Sequence, residues 1–254
     1  MGRICIGPRS MAGVMLLGIL TAVSGVFLRS WWAQAQDSTE LEAFIDRAGL
    51  WDSVRVPVCW EPSAAEFPEA KLWVQESVKT FIEGQSDVRF LRWDNCAPAD
   101  ATIHIIHITV SDEHPYSYVG RQFARNTDGT VQRDAFEKPI AVPTPMVLNF
   151  TFAAAFNDVL NDNCGGDNEH CIRAIAVHEF LHALGFLHEQ LRPDAPDKCK
   201  NRFDHSRDFP GWEPLSVGDY DPESHMNYCA NMYRKPIKLS VQDVAILNKF
   251  YRFQ

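Results

Sequence analysis

Apolar and polar positions alternate along Val54-Arg55-Val56-Pro57-Val58-Cys59-Trp60, the two-residue period of a strand. Pro57 has no N–H to give a ladder, so the pattern places this strand at a sheet edge. Leu72, Val74, Val78, Phe81 and Ile82 then recur at helical spacing, predicting a helix from about Pro68 to Glu83 that Gly84 stops. Val88–Trp93, Thr102–Val110 and Met146–Phe152 read as further strands, and a second helix is expected from about Cys171 to Gly185. A last helix starts at Ser240, where Ser240 and Asp243 form a capping box and Leu239 with Val244 a hydrophobic staple. The order predicts an α+β domain, with sheet and first helix ahead of the Cys171–Gly185 helix and a loop-rich part after it. A cleft between those two portions would suit an extended ligand.

The first 35 residues read differently. Arg3 and Arg9 precede an apolar run from Met11 to Leu28, and Ala33-Gln34-Ala35 offers a small-x-small cleavage pattern. Residues 1–35 are therefore expected to be a secretory signal peptide, with an uncleaved membrane anchor as the alternative because the run is long enough to span. Residues 36–50 would be a short N-terminal or pro-segment, and 51–254 the functional domain. Losing three arginines with the leader takes the formal charge from −9 to −12. So acidic a chain, without a basic patch, is a poor partner for nucleic acid. A membrane would be a partner only if the leader stays attached. Six cysteines remain after Cys5 leaves, an even number that predicts disulfides in an exported, extracytoplasmic protein. Proximity along the chain suggests Cys59–Cys96, Cys164–Cys171 and Cys199–Cys229, out of 15 connectivities.

The chemistry concentrates in His178-Glu179-Phe180-Leu181-His182-Ala183-Leu184-Gly185-Phe186-Leu187-His188, which fits H-E-x-x-H-x-x-G-x-x-H. On a helix His178 and His182 leave the same face and can grip one Zn2+ ion. Gly185 can take the positive φ that turns the chain back and brings His188 to the same ion. Three nitrogens leave a position open for water, the mark of a catalytic rather than a structural zinc. Glu179, one step round the helix, is placed to act on that water as a general base. His104 and His107 are three apart in a predicted strand and so face opposite sides. His104, His107, His114, His170, His205 and His225 are read as solvated or structural. The sequon Asn149-Phe150-Thr151 falls in a predicted strand, a weak glycosylation signal.

These residues resemble the astacin family of metzincin zinc peptidases. The zinc motif continues to Glu189, as is typical there. Tyr220-Asp221-x-x-Ser224-x-Met226-x-Tyr228 is similar to the family's Met-turn, and Tyr116-Ser117-Tyr118-Val119-Gly120-Arg121 to its S-Y-V-G-R segment. The resemblance spans about residues 50–252. It implies a metzincin-like two-lobed domain with a mixed twisted sheet and a loop-rich C-terminal part ending in a helix. It implies Tyr228 as an additional zinc ligand that can leave the metal to stabilise an oxyanion; a buried aromatic near a disulfide is the other reading of Tyr228. It also implies a buried ion pair for Glu189, against a plain surface glutamate. The cysteine positions do not map onto the family's usual pairs.

The expected function is a secreted zinc endopeptidase acting on proteins or peptides, with Glu179 and Tyr228 catalytic and His178, His182, His188 and Tyr228 on the metal. A non-catalytic zinc-containing binding or adhesion module is the alternative, and retention of Glu179 argues against it. Arg121, Arg125, Arg202 and Arg207 are candidates to favour acidic substrate residues.

Overall fold

The computed structural model describes residues 43–153, 157–200 and 214–252. Its strands are β1 (Ala43–Asp46), β2 (Arg55–Trp60), β3 (Arg89–Asn95), β4 (Ile106–Val110), β5 (Tyr116–Ser117), β6 (Gln122–Phe123), β7 (Ala141–Val142), β8 (Thr144–Leu148) and β9 (Pro214–Val217). The helices are α1 (Pro68–Phe81), α2 (Asn168–Ala183), α3 (Asp197–Lys200) and α4 (Val241–Phe250). Five strands form a mixed sheet in the order β3-β2-β4-β8-β5, parallel except for β5. The predicted leader, residues 1–35, lies outside the described residues. Among those described, no helix is long and apolar enough to cross a membrane.

Several sequence expectations shift in register. The strand at Val54–Trp60 is not an edge strand: β2 lies between β3 and β4. Pro57 is still accommodated as at an edge, because pairing with β4 begins only at Val58. The strand expected from Thr102 starts at Ile106. Before it, Pro98–Thr102 forms a 3-10 turn that Asp100 holds, accepting from Ala97 N at 2.8 Å and from both Arg92 terminal nitrogens at 2.7 and 3.0 Å. His104 therefore lies outside β4, while His107 lies within it and sits 2.9 Å from Glu61. The strand expected at Met146–Phe152 runs instead over Thr144–Leu148. It ends where the Asn149 carboxamide accepts from Thr151 N and Phe152 N, a side chain–backbone turn that competes with the ladder. Asn149 is 2% exposed, so the sequon is closed to a glycan in the folded chain.

In α1, Ala70, Val74, Ser77 and Val78 form the buried stripe, whereas Leu72 is 56% exposed. Leu72 lies two residues before Val74, about 200° round the helix, and so falls off that stripe. The α2 helix is buried on nearly every side from Cys171 to Ala183, as a helix running through a core must be. Asp167 caps it, accepting from His170 N at 3.0 Å. Phe180 packs edge-on to Phe90 at 4.8 Å and stacks on Trp93 at 5.6 Å, fixing one face of α2 against β3.

Residues 43–50 dock on the far end of α2. Asp46 N donates to Gly185 O and Leu187 N to Phe44 O, each at 2.8 Å, and Ile45 is fully buried. Gly49 and Gly120 cross so closely that a Cβ on Gly120 would lie 2.2 Å from Gly49 O. The disulfides are Cys59–Cys96, Cys164–Cys171 and Cys199–Cys229, the pairs suggested by proximity.

The capping box of α4 forms as read. Ser240 Oγ accepts from Asp243 N at 2.9 Å and donates to Asp221 Oδ2 at 2.6 Å. Asp243 in turn accepts from Ser240 N, His225 N and Ser224 Oγ, tying the helix start to the Met226 turn. Ser240→Ala removes a cap and leaves Asp221 a partner short; urea unfolding should show a loss of about 1–2 kcal/mol.

Candidate metal centre and cleft

The α2 helix ends at Ala183, and Gly185 reverses the chain with φ +99°. A Cβ there would press on Leu50 and Asp46 as well as straining the backbone. The reversal returns His188 to the helix face. His188 Nε2 comes to lie 3.1 Å from His178 Nε2 and 3.0 Å from His182 Nε2.

The other ring nitrogens show how this cluster is wired. His178 Nδ1 donates to the His225 carbonyl at 3.1 Å and His182 Nδ1 to the Phe186 carbonyl at 2.7 Å. Since a carbonyl only accepts, those Nδ1 atoms carry the protons and both Nε2 atoms present lone pairs. His188 Nε2 has at most one proton to share between them, so lone pairs face one another at 3.0–3.1 Å. Burial lowers all three rings' basicity, His182 to about 4, so protonation does not relieve the crowding at neutral pH. A divalent cation does relieve it. The donor set, neutral imidazoles oriented by backbone carbonyls, fits zinc. Cys59, Cys96 and His107 also cluster, but both sulfurs are committed to a disulfide.

Glu179 is 4% exposed and its Oε2 has no hydrogen-bond partner. Burial pushes its carboxyl up to about 8, with the Ser117 backbone pulling weakly the other way. A cation beside it would draw that value down. The Tyr228 ring stacks on His178, with centroids 5.3 Å apart, and lies 4.2 Å from His188. Gln190 Oε1 accepts from Tyr228 N at 3.0 Å and fixes that backbone. His178, Glu179 and Tyr228 share the wall of a cavity of about 440 Å³. One side of the cavity comes from the sheet-and-helix portion and the other from the loop-rich segment Tyr228–Tyr233.

A family model described as Astacin (Peptidase family M12A) matches residues 163–203, the stretch that holds all three histidines and Glu179. This chain is astacin-like. The zinc metalloproteinase nas-2 of Caenorhabditis elegans is 26% identical over 175 residues, covering 67% of this chain and 52% of that protein. The chain thus spans about half the length of that curated relative. A solved structure of myroilysin covers 84% of this chain and is itself covered fully, with a TM-score of 0.50 at 16% identity, a likeness of fold. High choriolytic enzyme 1, a hatching enzyme zinc-protease from the medaka Oryzias latipes, aligns over 79% of this chain and 92% of its own at 17% identity and a TM-score of 0.43.

In this astacin-like chain Glu189 is not a surface glutamate. It is 2% exposed, accepts from Asp221 N at 2.8 Å, and lies 3.4 Å from the buried Arg192 guanidinium. Residues that sequence reasoning missed act through the backbone: the His225 carbonyl on His178, and Ser117 near Glu179. Motif spacing carries no signal for such contacts. His225 itself is fully buried, with Nε2 3.1 Å from Ala174 O, in keeping with a structural role. His170 Nε2 lies 2.7 Å from Tyr233 O, His114 is exposed on the cavity rim, and His205 falls outside the described residues.

Proposed function

We propose that this protein is an exported zinc endopeptidase, with His178, His182 and His188 holding the metal and Glu179 as general base. The observation that carries the reading is the convergence of His178 and His182 Nε2 on His188 Nε2, at 3.1 and 3.0 Å, beside a buried, half-unpaired carboxylate. Zinc, when bound, supplies a Lewis acid that polarises the scissile carbonyl and acidifies water. Glu179 takes the proton of the attacking water and passes it to the departing amine. Its burial keeps the carboxylate a stronger base than one in solvent. The Tyr228 phenol, whose ring is packed on His178 and His188, donates to the oxyanion as it develops and serves as a further ligand at rest. The β5 strand ends the sheet beside Glu179, so an extended peptide has a backbone to lie against.

Three disulfides fit an oxidising, extracytoplasmic compartment. Residues 1–35 are proposed as the export signal, cleaved or retained as an anchor.

A chelator should stop casein cleavage by the purified protein while its far-ultraviolet circular dichroism stays native; persistent cleavage would remove the metal from the mechanism. Tyr228→Phe should lower kcat by about 10²-fold with little change in KM, the usual cost of one oxyanion donor. An unchanged kcat would take Tyr228 out of catalysis.

A further inference from the structure

The cavity beside Glu179 has a two-tier lining. Its floor is apolar: Phe152, Ile175 and Met232 are 2%, 4% and 6% exposed, and partly buried Val159 joins them. Its rim is polar, with His114, Asn163 and Asn231 exposed. Among the described residues no lysine or arginine lines the cavity, and the one carboxylate is Glu179 itself. The Tyr233 phenol also stays neutral, because burial and the Glu179 charge push it up to about 12.

The arginines that the sequence offered as acid-binding groups do not serve this space. Arg121 pairs with Asp52, and Arg125 donates to Gly129 O at 2.7 Å. Arg202 and Arg207 lie outside the described residues.

An aspartate or glutamate side chain entering this floor would lose water and meet no cation among the described residues. A large apolar side chain would gain by burial and contact. The wall is also held in place. Cys229 is tied to Cys199, and Tyr233 O lies 2.7 Å from His170 Nε2, so the segment carrying Met232 is fastened at both ends.

We infer that this cavity receives the side chain of a residue flanking the scissile bond and selects large apolar side chains over acidic ones. The inference rests on the peptidase reading for its meaning in catalysis, but the selectivity of the cavity can be measured without turnover. Zinc-loaded Glu179→Gln protein, labelled with 13C at Ile Cδ1 and Met Cε methyls, is titrated with N-acetyl-phenylalanine methylamide and with the aspartate analogue. The phenylalanine compound should shift the Ile175 and Met232 resonances saturably, and the aspartate compound should need at least about tenfold more. Ile175→Phe, which fills the floor, should abolish the Met232 shift. In a peptide library, the wild-type enzyme should enrich phenylalanine, leucine or methionine about tenfold at one position flanking the cut. Val159→Arg should move that preference toward aspartate and glutamate. Equal shifts from both compounds, no shifts, or acidic enrichment by the wild type would overturn the inference. Selective shifts in a protein that cleaves nothing would instead overturn the peptidase reading and leave the cavity's selectivity standing.

Discussion

Glu179→Gln yields a folded, zinc-loaded protein whose peptide turnover is at least about 10³-fold below that of the wild type. Glutamine keeps the volume and one acceptor oxygen, so the packing around α2 survives. What disappears is the ability to take a proton from water and return it to the leaving amine. The wild-type carboxylate costs the fold something, being buried with an unpaired oxygen. Removing that charge should leave thermal stability equal or higher, a sign that a functional group was exchanged rather than a structural one. Steady-state cleavage of a quenched peptide, with calorimetry on the same samples, checks both halves. Undiminished turnover would strip Glu179 of its role.

Zinc added to metal-free protein should raise the unfolding temperature by about 5–11 °C at a hundredfold excess over its dissociation constant. The estimate follows from about 2.7 kcal/mol of linkage and about 2–4 °C per kcal/mol for a chain of this size. The stabilisation arises because the folded chain holds three imidazole nitrogens within 4.8 Å of one another, an arrangement the unfolded chain has to assemble. His182→Ala removes one donor and should abolish most of the rise. Differential scanning calorimetry with the disulfides intact makes the comparison. An equal rise in that variant would mean that zinc binds elsewhere.

Local signals in the sequence foretold local structure. The spacing predicts a positive-φ reversal at Gly185, which has φ +99°, and a capping box at Ser240 and Asp243, which forms. Each depends on a few neighbouring residues whose chemistry is self-contained. Where partners are distant, the reading weakened. The β1–β9 pair joins residues more than 160 positions apart, and neither strand is longer than four residues, too short for a period to register. Thr102–Val110 looked like one strand because its apolar spacing says nothing of the Asp100–Arg92 contact that bends its first part. Leu72 counted toward a helical stripe by hydropathy, yet it lies away from the face that α2 covers.

The site divides along the same line. His178, His182 and His188 were legible because one helix and one glycine turn set their geometry within eleven residues. Glu189 was ambiguous because its burial is decided by Asp221 and Arg192. The apolar floor of the cavity was invisible: Phe152, Val159, Ile175 and Met232 come from four separate places in the chain and carry no motif. Within residues 36–50, which read as a short N-terminal or pro-segment, the described residues 43–50 are stitched to the end of α2 through Asp46 and Phe44 and pack on Gly120 through Gly49.

Anomalous diffraction at the zinc absorption edge, from crystals of the metal-replete enzyme, probes the centre itself. A single strong peak in direct contact with Nε2 of His178, His182 and His188 is expected. A cluster without that peak, or three rings turned away from one another, would contradict that expectation.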